Sequence, residues 1–77
     1  MLKELEISDP QSCLNKALDG EHVFVLRGKD PCAPAAIRYW ASERQRLGIN
    51  DADDRKIVEA LRCADLMAAY SAALAKE

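Results

Sequence analysis

Seventy-seven residues with a formal charge of −2, 49% hydrophobic side chains and only four aromatics describe one small domain, 1–77, suited to Ala- and Leu-rich helix packing. That charge balance gives no basic field to a nucleic acid and disfavours DNA or RNA as a partner. Cys13, Cys32 and Cys63 are odd in number, widely spaced and lack a Cys-x-x-Cys pair. They argue against a secreted disulfide framework and an ordinary zinc site, and for a reducing, cytoplasmic setting.

A chain this short buries only about 60–65% of the surface its unfolded form exposes, so its stability needs support. Association supplies that support more simply than disulfides or a metal. A compact fold of this length has a radius of gyration of ~11 Å.

Leu2, Leu5 and Ile7, set among Lys3, Glu4 and Glu6, predict a short strand in which Leu5 and Ile7 alternate and Leu2 falls out of step. The charges inside this pattern exclude a signal peptide or membrane span. Ser8 or Asp9 is a fitting cap for a first helix, with Pro10 at its first position, Gly20 past its end, and Cys13, Leu14, Ala17 and Leu18 facing inward. Val23, Phe24, Val25 and Leu26 are consecutive rather than alternating. They predict a strand over residues 21–26, buried on both faces or lying against a second copy. Arg27 marks its exit, and Gly28 to Pro34 form a turn in which two prolines bracket Cys32 and Ala33.

A second helix is predicted from Ala33 or Pro34 to Leu47, with Ala36 or Ile37, Trp40, Ala41, Arg44 and Leu47 inward and Gly48 as its left-handed stop. Asn50 or Asp51 caps a last helix, with Asp53 and Asp54 in its first turn, where the dipole favours carboxylates. Continued to Ala75, it is on the order of 35 Å long and outruns its own core. One stripe holds Ile57, Leu61, Ala64, Ala68 and Ser71, and a neighbouring one holds Cys63, Leu66, Met67, Tyr70 and Leu74. The expected fold is α+β: one or two short strands packed on two or three helices, the C-terminal helix being long.

Three groupings carry chemistry. Arg27, Gly28 and Lys29 lead into a helix N-terminus that can hold an anion, and Arg38 follows on that helix, so these four are the candidate anion or partner site. Cys32, near the same N-terminus and Lys29, is the thiol most disposed to react. With His22 or Cys63 it makes the alternative to a binding role, a thiol- or metal-dependent activity. His22 is placed at the far end of the strand, and Cys13, His22, Cys32 and Cys63 lack zinc spacing. Asp51, Asp53 and Asp54 open like a calcium loop, but Lys56 and Arg62 stand where glycine and glutamate are required. No cofactor is expected.

Phe24-Val25-Leu26-Arg27, Asp30-Pro31, Ala33-Pro34, Ile37-Arg38 and Trp40-Ala41, followed by Glu59-Ala60, Ala64-Asp65 and Met67, carry a likeness over about residues 23 to 70. In these the chain resembles a group of small uncharacterised bacterial and prophage proteins. The resemblance implies a fold unit and no reaction. Cys32 stands where similar sequences are mostly aliphatic, which weakens a catalytic part for its thiol.

The functional expectation is a non-catalytic protein-interaction module, a homodimer. Its surface is the strand edge or the last helix, with Leu66, Met67, Tyr70 and Leu74 as the interface. Size and resemblance point by analogy to a phage-derived inhibitor of a host defence complex of the CRISPR type, an anti-CRISPR candidate. Both the assembly and the surface-occupying role built on it rest on the residues around Phe24 being sheet; coiled into a helix or bare in water, they would leave neither standing.

Overall fold

A computed structural model of the protein describes residues 2–75. They form four helices, α1 (Lys3–Ser8), α2 (Cys13–Lys16), α3 (Ala33–Arg46) and α4 (Arg55–Ala75), and no strand. The expected α+β fold with a small sheet is therefore corrected to an all-helical one.

Both predicted strands fail for physical reasons. Residues 2–7 contain Leu, Lys and Glu, all strong helix formers, and Leu2 with Leu5 sits at the i, i+3 spacing of one helix face. The Asp9 amide closes this turn by donating to the Leu5 carbonyl at 2.9 Å. Once that segment coils, Val23–Leu26 has lost the strand partner expected for it. Residues 21–27 run without regular structure, and among the described residues no backbone group of His22–Leu26 bonds to another backbone group. Phe24 is 87% exposed. The strand, its burial on both faces and its edge as an assembly surface all fall away.

The predicted first helix survives as the four residues of α2. Pro10 takes a turn position instead of opening a helix, because Ser12 N–H donates to the Asp9 carbonyl and Gln11 N–H to Asp9 Oδ1. Ser12 then caps α2, its Oγ accepting from Asn15 N–H at 3.1 Å. The buried Ser12 hydroxyl also donates to the Glu6 carbonyl at 2.6 Å. Asn15 Nδ2 reaches the carbonyls of Glu6, Ile7 and Asp9, and Glu6 Oε1 accepts from Leu14 N–H. Each short helix thus meets polar groups that the other leaves open at its end.

The helices α3 and α4 form an antiparallel hairpin. Trp40, midway along α3, meets Lys56 at the start of α4, whereas Arg38, earlier in α3, pairs with Asp65 farther along α4. Three alanines, Ala33, Ala41 and Ala64, are buried at or near 0% exposure, so the helix backbones approach closely, and Ile57 is the one large side chain fully enclosed among the described residues. Leu47, expected inside, is exposed. The end of α3 follows the sequence: Gly48 has φ 73°, its N–H donates to the Gln45 carbonyl and Ile49 N–H donates to the Arg44 carbonyl, the two bonds of a Schellman stop.

Helix α4 is about 32 Å long against about 21 Å for α3, so its last turns overhang the hairpin. The Arg27–Asp30 turn reaches this region, with Gly28 beside Met67 and Tyr70. The radius of gyration is 13.5 Å, well above the compact expectation.

Candidate functional site

The stripe of α4 that faces away from Ile57 and Ala64 forms one side of an open groove of about 760 Å3. Leu66, Met67, Tyr70 and Cys63 line it from α4, Gly28 and Leu2 close it from the preceding chain, and Lys3, Glu59 and Arg62 stand along it with charge of both signs. Gly28 matters here by closeness. A Cβ added at that position would lie 3.5 Å from Tyr70 Cδ1 and 3.7 Å from Met67 Cγ, ordinary contact distances, so the turn lies close against α4.

Three of the four residues expected as an interface, Leu66, Met67 and Tyr70, are thus brought together. Leu74 lies farther along the same helix, also exposed. Leu2, Lys3, Glu59 and Arg62 were not foreseen at this surface. The misfit of Leu2 with strand alternation was the available signal for the first of them.

The candidate anion or partner residues are divided. Gly28 belongs to the groove; Arg27 and Lys29 line a separate shallow depression of about 370 Å3 with Val25, Asp30 and Pro31. Arg38 donates from Nη2 to Asp65 Oδ1 at 2.9 Å across the hairpin. The N-terminus of α3 is largely engaged by the chain itself. Asp30 Oδ1 accepts from Cys32 N–H at 2.8 Å, the Asp30 carbonyl accepts from Ala33 N–H, and Pro34 has no N–H to offer. An external anion there has to compete with Asp30.

Among the described residues, the acidic, histidine and cysteine side chains approach one another as a group of three only at Asp51, Asp53 and Asp54, whose oxygens lie within 4.8 Å. Cys13, His22, Cys32 and Cys63 form no such group. Of the three aspartates, Asp54 already accepts through Oδ2 from Asn50 Nδ2 at 3.0 Å and from Asp51 N–H at 2.9 Å. Those two bonds, that from Asn50 first, hold its carboxyl below the usual aspartate range. Loop closure accounts for Asp54, and because α4 begins at Arg55, Asp53 and Asp54 precede its first turn instead of lying in it as expected.

Comparison with protein-family models, with curated proteins and with solved structures gives no match to this chain. Among the described residues, no helix is long and apolar enough to cross a membrane. The site must be read from its own chemistry, which is an apolar trough with a mixed-charge border.

Proposed function

We propose that the chain is a non-catalytic protein-interaction module that works as a homodimer, meeting its twin through the exposed stripe of α4 around Leu66, Met67 and Tyr70. One observation carries this reading. A folded monomer of 8.5 kDa is expected to expose about 4,650 Å2, whereas this chain exposes 6377 Å2. The excess of about 1,700 Å2 is roughly twice the 800 Å2 that each partner gives to a standard interface.

With no strand at residues 21–26, the assembly and the surface-occupying role expected from it both lose their footing, and the homodimer proposed here is supported by the surface excess instead. The border of the groove also suits a two-fold contact, in which one patch must complement itself: Lys3 and Arg62 lie there with Glu59. A formal charge of −2 per copy opposes pairing only weakly. Action on a further protein, a defence complex included, would use the surface that the dimer leaves open.

Sedimentation equilibrium tests the reading. At micromolar concentration the expected mass is twice 8.5 kDa, and Leu66→Asp should return it to the single-chain value. A native chain that remains at 8.5 kDa at high micromolar concentration overturns it.

A further inference from the structure

The chain carries a segment whose chemistry matches its own groove. Among the described residues Phe24 is the most exposed large hydrophobic one, Val23 and Val25 beside it are exposed too, and no backbone group of His22–Leu26 bonds to another backbone group. We infer that, in the homodimer proposed above and resting on that reading, Val23–Leu26 of each copy lies in the groove of the other, with Phe24 seated against Met67, Tyr70 and Leu66.

Size and connectivity support a second copy as the source. The groove, at about 760 Å3, lies in the range of sites that enclose a few large side chains. The chain's own Phe24 is tethered to the groove wall at Gly28 through Val25, Leu26 and Arg27 alone. To enter its own groove the segment must reverse within those three residues, none of which is the Gly, Pro, Asn or Asp that tight turns use. A segment arriving from another molecule needs no reversal.

Reciprocity follows from the same geometry. Gly28 belongs to the groove wall and stands four residues after Phe24, so the inserting segment and the receiving surface are neighbours on one face. A two-fold axis near Gly28 brings both segments to both grooves in one closed contact, and neither surface is left to recruit a third copy.

The test uses the full chain. Phe24 makes little contact within its own copy, so Phe24→Ser should keep the helical circular dichroism of the parent and weaken dimerisation by at least about 30-fold, the loss expected of an interface anchor. In a second variant, Cys13→Ser and Cys32→Ser are combined with Val25→Cys, which keeps Phe24 in place and leaves Cys63 on the groove wall. Mild oxidation should then give a covalent species of twice 8.5 kDa on a non-reducing gel. A dimer whose affinity is unchanged by Phe24→Ser, or whose oxidation product stays at 8.5 kDa, overturns the exchange and leaves the association reading standing. A native chain that is a monomer overturns both.

Discussion

Arg44 holds Asn50 across the end of the hairpin, donating from Nε to Oδ1 at 2.7 Å. Asn50 in turn donates from Nδ2 to Asp54 Oδ2, and Asp54 accepts from the Asp51 amide through the same oxygen. One relay of side chains therefore fixes the loop that sets α4 against α3, and its last member is a carboxylate that must be ionised to accept both bonds fully.

The pH dependence of this loop follows from that carboxylate. Hydrogen bonds from Asn50 and then Asp51 lower the Asp54 pKa in the folded chain. A group depressed in this way contributes stability that is fully present above its unfolded value and is lost as pH falls through the folded one. Amide hydrogen exchange at Asp51 should be steady above the ordinary aspartate range, after correction for intrinsic rates, and its protection should fall only as the pH drops below that range. Asp54→Asn should remove that acid-dependent step. Glu43, lowered by its bond with Arg46, is the second carboxylate depressed in this way, and Glu43→Gln serves as the control that leaves the Asp51 amide unaffected.

The glycines at 28 and 48 should answer differently to alanine. Gly48 has φ 73°, a conformation that costs an L-residue on the order of 1 kcal/mol, so Gly48→Ala should lower the melting temperature by about 4–8 °C. At Gly28 the added methyl meets Tyr70 and Met67 at ordinary contact distance, and φ is not positive. Gly28→Ala should melt unchanged, or higher by the equivalent of up to about 1 kcal/mol through the unfolded state. Thermal unfolding followed by circular dichroism separates the two.

Ile57 bears an unusual share of the packing. Among the described residues it is the one large side chain at 0% exposure, so Ile57→Ala should cost about 2–5 kcal/mol, against a total of about 4–12 kcal/mol for a chain of this length. Val58, the next residue, is exposed, and Val58→Ala should change stability by less than about 0.5 kcal/mol. Urea unfolding of the two variants at one protein concentration measures the contrast.

The hairpin was readable in the sequence because its signals are local. Gly48 past the last periodic residue gave the stop of α3, and spacing along residues 55–75 separated the stripe of Ile57 and Ala64 from that of Leu66 and Tyr70. The N-terminal third was misread because its signals compete. Apolar Val23–Leu26 has strand composition, yet a strand is defined by its neighbour, and the neighbour assumed for it, residues 2–7, spends its backbone bonds inside α1. Pro10 and Ser12 both offer to begin a helix, and only the Asx turn at Asp9 decides for Ser12. Of the groove, the α4 side was legible as an uncovered stripe. Its other walls, Leu2 and Gly28, depend on how distant parts of the chain fold back.

Trp40, midway along α3, lies with Arg44 at 5.4 Å and Lys56, near the start of α4, at 5.9 Å from its ring centre. As the only indole in the sequence, it makes intrinsic emission a local gauge. Fluorescence will register the parting of the two helices where Trp40 meets Lys56, and a dye placed on the far turns of α4 adds a second gauge for a titration of assembly.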